Sequence, residues 1–345
     1  DMARSIGAMG VPSAVAKALL RLPPERAHHV ALALLALPAP WERIGGAVDD
    51  PSLHVELAGI QLRNPIGLAA GFDKGCRRLG ALGRLGFGYV VGGTITRHAR
   101  TGNAPPRIAR LPERRSLVNA MGLPNPGADA AVGALSRTRS PAPRIVSIAD
   151  QEVEQAIGTH ALLESHVEAV ELNASCPNVS WGRDRDNEAH LAVLLRELGA
   201  RRTKPLFVKL PPFRTAVERE VVLALARISV EGGADGLTCS NTRPVADARL
   251  STGQGGLSGR DLFEDTPRIV HTVRVATEDT VPLSACGGVG SAADVVACLE
   301  AGATTVQLYS ALVYEGPSLL GRLTTDLVAL LRERRTAVPR LVGAG

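Results

Sequence analysis

The sequence predicts an α/β protein, a (β/α)8 TIM barrel with a small helical extension at its N-terminus. Three observations lead there. Eight short apolar runs of β type recur along the chain, helical patterns lie between them, and chemically capable polar residues stand at the end of nearly every run. An open doubly wound sheet shares the alternation, but it does not place functional residues after so many strands.

The predicted strands are Pro65–Ala69, Tyr89–Gly92, Arg144–Ile148, Ala169–Asn173, Leu206–Leu210, Gly236–Cys239, Pro282–Ala285 and Thr305–Tyr309, with helical patterns such as Glu188–Gly199, Val217–Glu231 and Ala292–Ala301 between them. Residues 48–345 are assigned to the barrel and residues 1–47 to the extension. The extension reads as two helical stretches, Pro12–Leu22 and Glu25–Leu37, separated by Pro23-Pro24. The double proline stops the first helix, Pro24 suits the start of the second, and Pro38 and Pro40 end it. Both stretches are apolar over more than one face. They need a covering surface: the barrel, a lipid bilayer or an apolar ligand.

Composition excludes several classes. Lys+Arg 39 against Asp+Glu 34 gives a formal charge of only +5, and aromatics are 3% with no basic block, so no nucleic-acid partner is expected. The five cysteines, Cys76, Cys176, Cys239, Cys286 and Cys298, are odd in number and contain no CxxC pair. That argues against a disulfide framework and against a metal site. Four of them read as buried free thiols of a reducing compartment. No apolar run approaches the roughly 20 residues of a membrane span.

The strand ends carry the chemistry. After the first comes Ala69-Ala70-Gly71-Phe72-Asp73-Lys74-Gly75, where small residues let backbone approach a planar ligand and Lys74 supplies a cation. The second ends in Gly92-Gly93-Thr94. Two loops follow, GNAPPR at 102–107 and NAMGLPN at 119–125, in which Asn119 and Asn125 can each donate and accept; for one asparagine alone, turn capping is the commoner role. The fourth strand delivers Asn173-Ala174-Ser175-Cys176-Pro177-Asn178. A thiol just past a strand end, between two amides and stiffened by proline, suits a base or nucleophile better than a core filler.

Lys209, at the end of the fifth strand, must reach solvent or an anion, and a reduced flavin would be such a partner. The sixth strand ends in Cys239-Ser240-Asn241-Thr242. The segments 285–291 and 307–311 read as a phosphate site between the last two strands, where backbone amides and a helix N-terminus converge.

Taken together these segments resemble the dihydroorotate dehydrogenases over nearly the whole chain. The likeness runs through AAGFDKG, GNAPPR, NAMGLPN, NASCPN, VKLPP, SNT at 240–242, GGLSGR at 255–260, CGGVGS at 286–291 and YEGP at 314–317. It implies FMN at the barrel mouth, hydride passing from C6 of dihydroorotate to flavin N5, and loss of the C5 proton to a base, here Cys176. Lys74, Asn119, Gly122, Leu123, Asn173, Asn178, Asn241 and Thr242 match the orotate cradle. Ala70, Gly71, Thr94, Ser147, Asn173, Lys209, Ser240, Gly259, Gly288, Tyr309 and Ser310 match the FMN contacts.

Two classes of that family are mixed here. The sequence LLRLPPERAHHVALALL resembles the paired-helix extension of the membrane-associated, quinone-reducing class, which frames an apolar route to the flavin. Cys176, NAMGLPN and SIAD at 147–150 resemble the soluble, fumarate-reducing class; Ser147 stands where the quinone class has asparagine. The extension bears on the oxidant and Cys176 on the proton step, so the resemblance implies quinone as acceptor. It also implies a cytoplasmic enzyme, peripheral at the inner face of the cell membrane. The alternatives are fumarate as acceptor, or a paralogue oxidising another dihydropyrimidine or a secondary-metabolite ring.

Overall fold

The computed structural model describes residues 15–174 and 186–344. Eight parallel strands close into a barrel in chain order: β1 (Ile66–Leu68), β2 (Tyr89–Ile95), β3 (Arg144–Ile148), β4 (Ala169–Asn173), β5 (Leu206–Leu210), β6 (Gly236–Cys239), β7 (Leu283–Cys286) and β8 (Thr305–Leu308). Each coincides with one predicted run. The largest difference is β2, which runs three residues past Gly92 because Ile95 still pairs with Ile148 across a register shift. Glycines 92 and 93 hide that continuation, since glycine carries little strand propensity.

Strands β2, β5, β6 and β8 are buried along their whole length; β2 accordingly reads as a nearly continuous apolar run, while Lys209 in β5 and Gln307 in β8 are buried polar exceptions. The helices that cover them follow the strands in turn: α1 (Leu79–Arg84), α2 (Ala128–Arg137), α3 (Val153–Leu163), α4 (Asp186–Gly199), α5 (Ala216–Glu231), α6 (Thr266–Ala276), α7 (Ala292–Glu300) and α8 (Leu319–Glu333). Capping boxes start two of them, Thr215 with Glu218 on α5 and Ser291 with Asp294 on α7. Helix α8 buries Leu319, Leu323, Leu327 and Leu331, one leucine per turn, each contributing about 1.5–3 kcal/mol relative to exposure.

Two elements escaped the sequence reading. An antiparallel hairpin, Val55–Leu57 with Ile60–Leu62, precedes β1 and turns through Ala58 and Gly59, both at positive φ. A four-stranded antiparallel sheet is assembled from two insertions, Ile108–Leu111 with Ser116–Asn119 after β2 and Arg243–Ala246 with Gln254–Gly259 after β6. It has a small core of its own around Ala109, Val118, Leu250 and Leu257. Asn119 therefore ends a strand and is not a loop residue.

In the N-terminal extension, residues 15–19 are helical and a second helix spans Pro24–Leu34, with proline in its first turn as expected. It ends three residues before the predicted Leu37. The amides of Ala36 and Leu37 reach back only three residues, a 3₁₀-type tightening just ahead of Pro38. Polar anchors fix the extension to the barrel. Glu25 pairs with Arg107 at 2.5 Å, Arg110 Nη1 donates to the carbonyls of Leu20 and Leu22 at 2.8 and 2.7 Å, and Arg78 Nε donates to the Leu32 carbonyl at 2.9 Å. Val15, Leu22, Val30, Leu37 and Val48 are left exposed. Among the described residues no helix is long and apolar enough to cross a membrane.

Candidate active site

A cavity of about 330 Å³ opens at the C-terminal ends of the strands. Of the residues singled out from sequence, Ala70, Lys209, Ser240, Asn241, Thr242, Gly259, Gly288, Tyr309 and Ser310 line it. They come from the ends of β1, β5, β6, β7 and β8 and from the Gln254–Gly259 strand, so only closure of the barrel brings them together. Gly259 and Gly288 face each other in the wall. Both have positive φ, and a Cβ on Gly288 would lie 2.7 Å from the Phe263 amide nitrogen and 2.8 Å from the Gly259 carbonyl oxygen. No larger residue fits there.

A second set forms a connected wall of amides and a hydroxyl. Asn241 Nδ2 donates to Asn173 Oδ1 at 3.2 Å, joining the ends of β6 and β4, and the Thr242 amide donates to Asn241 Oδ1 at 2.8 Å. Asn119 Nδ2 donates to the Gly256 carbonyl at 3.3 Å. Gly256 was not anticipated from sequence: a Cβ there would sit 2.1 Å from Thr242 Oγ1, so glycine is what lets Thr242 and Asn119 approach one strand. Gly122 and Leu123 both take positive φ, and a Cβ on Gly122 would collide with Asn103, which locks the two asparagine-bearing loops together. Asn125 takes the commoner role. It is buried and bonds Thr96, Gly127 and the Leu123 carbonyl.

Lys74 is half-buried, donating to the Gly71 carbonyl at 2.6 Å. Burial, with Arg107 adding to it, pushes its ammonium down to about 8, although Asp73 and Glu25 oppose the shift. Gly71 donates its amide to the Gly93 carbonyl, and its backbone lies against Tyr309. Thr94 and Ser147 do not line the cavity. Their hydroxyls bond each other at 3.1 Å between β2 and β3, both buried. Cys176 and Asn178 lie outside the described residues.

The expected phosphate turn is more occupied than its sequence suggested. Asp294 Oδ2 accepts from the amides of Gly290 and Ser291 at 3.0 and 2.9 Å and pairs with Arg260 at 2.6 Å. Two of the amides expected to converge on an anion are therefore already used by the cap of α7. Arg260 and Arg115, neither of them anticipated, bring cations to the same cavity, Arg115 paired with Glu315 at 3.2 Å. Arg115 follows Glu113 and Arg114, and Arg260 ends the GGLSGR segment beside Asp261, but neither neighbourhood marks its charge as turned toward a site.

Beneath the cavity lies a polar layer inside the barrel. Glu171 Oε2 accepts from Thr238 Oγ1 at 2.9 Å and from Gln307 Nε2 at 3.3 Å, while Glu171 Oε1 stands 3.9 Å from Lys209 Nζ. Below it, the Tyr89 hydroxyl meets Thr305 at 3.0 Å and Ser284 at 3.3 Å, and burial pushes its pKa up to about 12. Burial alone would lower Lys209; Cys286 and Glu171 outweigh it and hold its pKa above the ordinary value.

An aromatic path leads from the extension to the cavity. His28, on the Pro24–Leu34 helix, meets Phe72 edge-on at 5.2 Å between centroids, and Phe72 meets Tyr309 at 5.5 Å. Burial, with Lys74 and His29 adding to it, pushes His28 down to about 3, so its ring is neutral at physiological pH. Nothing in the sequence periodicity pairs these three residues.

Residues 52–331 match the family model described as "Dihydroorotate dehydrogenase". The chain is 36% identical over 341 residues to "Dihydroorotate dehydrogenase (quinone)" of Rhodospirillum rubrum, covering 94% of this chain and 91% of that protein. It is 35% identical over 349 residues to the protein of the same name from Halobacterium salinarum, covering 95% and 97%. Among solved structures it resembles DHODH from Eimeria tenella in complex with ferulenol, at a TM-score of 0.83 and 27% identity, covering 96% of this chain and 98% of that one. The ligand-free form of the same enzyme gives a TM-score of 0.81 at 26% identity. The chain belongs to the dihydroorotate dehydrogenase family.

Proposed function

We propose that this chain oxidises dihydroorotate to orotate, a reaction of pyrimidine biosynthesis, using bound FMN and passing the electrons to a quinone. The observation that carries the quinone reading is the His28–Phe72–Tyr309 contact path, which runs from the N-terminal helix to the cavity wall. An apolar acceptor needs an apolar approach, and the match to quinone-type relatives extends over that helix region as well as the barrel.

The residues present suit FMN. The bare backbone of Ala70, Gly259 and Gly288 offers flat walls, Lys209 supplies a buried cation, and Ser240 and Ser310 supply hydroxyls. With Gly71, Asn173 and Tyr309 these are the groups that would hold it, whereas Thr94 and Ser147, buried and bonded to each other, do not line the cavity. FMN, when bound, supplies the two-electron oxidant. Lys74 binds the substrate carboxylate, and Asn119, Asn173, Asn178, Asn241 and Thr242, with backbone at Gly122 and Leu123, fix the ring by donating and accepting at its amide edges. Cys176 Sγ takes the proton from C5. An unperturbed thiol has a pKa of about 8.5, so its neighbours must favour the thiolate.

Residues 1–47 act as the acceptor-side extension and residues 48–345 as the catalytic barrel. The exposed Val15, Leu22, Val30 and Leu37 support a peripheral contact with the inner face of the cell membrane, where a quinone would be met. Deleting residues 1–45 separates the two half-reactions. Flavin bleaching by dihydroorotate should survive the deletion and re-oxidation by quinone should slow. Equal quinone turnover in the truncated protein would remove the extension from the mechanism.

A further inference from the structure

We propose that Glu171 is a positioning residue for the flavin site: it holds Lys209 at the cavity floor and offsets the positive charge which that lysine presents to bound FMN. The proposal rests on the reading of the cavity as the FMN site. Glu171 lies one layer below, does not line the cavity, and touches it through two residues that do, Lys209 and Gln307.

A buried carboxylate in a barrel interior calls for an explanation, because such layers are ordinarily filled by branched apolar side chains. Glu171 is 1% exposed and its neighbours on β4, Val170 and Leu172, are fully apolar. Its two oxygens are used differently. Oε2 takes both hydrogen bonds, from Thr238 and Gln307, which fix the carboxylate's orientation. Oε1 is wholly buried with no hydrogen bond and faces Lys209 Nζ at 3.9 Å. That distance exceeds a hydrogen bond and lies well within strong Coulombic range in a dry interior. The carboxylate therefore attracts the ammonium without consuming its donors; one of these meets the Cys286 thiol and the others remain for the cavity.

The other titratable groups of this layer do not supply negative charge at neutral pH. Burial pushes Tyr89 and Cys239 up to about 12 and raises Cys286, the thiol beside Lys209. Among the described residues of the layer, Glu171 is the anion that compensates Lys209. Without it the lysine would favour a reduced, more negative flavin more strongly. Glu171 thus lowers the reduction potential of the site, which eases delivery of electrons to the acceptor.

The test is Glu171→Gln, which keeps the shape and removes the charge, with the FMN midpoint potential measured by anaerobic dye equilibration. The expected result is a shift of the oxidised-to-reduced equilibrium toward reduced FMN by tenfold or more, equivalent to about 30 mV for a two-electron couple. FMN content and melting temperature are measured alongside. Lower stability with an unmoved potential would assign Glu171 a purely structural role and overturn the proposal. The double variant Glu171→Gln/Lys209→Gln, which leaves no unpaired buried charge, covers the case in which the single variant does not fold. Its potential should lie near that of the unaltered protein, and a potential clearly displaced from it would also overturn the proposal. A colourless unaltered protein that cannot be loaded with FMN would instead refute the flavin reading itself.

Discussion

The Lys74 ammonium gives a sharply defined pH dependence for substrate-side binding. Its pKa stands at about 8, where an ordinary lysine has 10.5, first because the group is buried and second because Arg107 is nearby. If Lys74 holds the carboxylate of orotate, binding needs the protonated form. About nine in ten lysines carry that proton at pH 7 and about one in ten at pH 9. The bound anion favours the charged form, so binding above pH 8 takes up a proton and weakens as pH rises. Orotate affinity should therefore be flat below pH 7 and fall about tenfold per unit above pH 8, or about 1.4 kcal/mol per unit. Orotate is the better ligand for this test because its binding needs no catalytic base, so Cys176 does not enter the profile. The assay is titration of the oxidised flavin's absorbance between pH 6 and 10. Lys74→Met should bind weakly at every pH with no break near 8. A wild-type profile flat to pH 10, or a break only near the ordinary lysine value, would refute the reasoning.

Three further outcomes are expected, the first from the proposed role of Cys176 and the other two from the geometry. Cys176→Ala should retain FMN and slow flavin reduction by roughly 10²–10⁴-fold in stopped flow, the usual contribution of a positioned base; Cys176→Ser should keep partial activity with its profile moved to higher pH. Gly288→Ala places a Cβ 2.7 Å from the Phe263 amide nitrogen at positive φ, so it should lower stability by more than about 1 kcal/mol and reduce FMN content, read from the melting curve and the visible spectrum. Arg110→Gln loses both bonds to the Leu20 and Leu22 carbonyls, which should weaken docking of the extension by about 1–2 kcal/mol. Faster proteolysis before residue 48 and slower quinone re-oxidation, with unchanged reduction by dihydroorotate, would report it.

The barrel was legible because its strands are largely buried, so that each appears as a short, mostly apolar run between helical patterns. The antiparallel sheet was not, because its strands are short and come from two separate insertions, and Gln254–Gly259 holds three glycines in six residues. Lys209, Ser240, Asn241, Gly288 and Tyr309 were legible as unusual residues at strand ends. Glu171 was hidden by its position within β4, where alternation cannot distinguish an inward carboxylate from a surface one. The role of Asp294 was hidden by a conflict between two good local rules. The same glycine-rich turn that reads as an anion site also serves as the N-terminal cap of α7, and the protein's own carboxylate takes two of its amides. His28, Phe72 and Tyr309 come together only through closure of the barrel and docking of the extension.

The most direct test of the account offers purified protein dihydroorotate with a quinone, fumarate or NAD supplied separately, and follows steady-state formation of orotate. Turnover is expected with the quinone and little or none with the other two. No orotate with any acceptor, or turnover with fumarate alone, would contradict it.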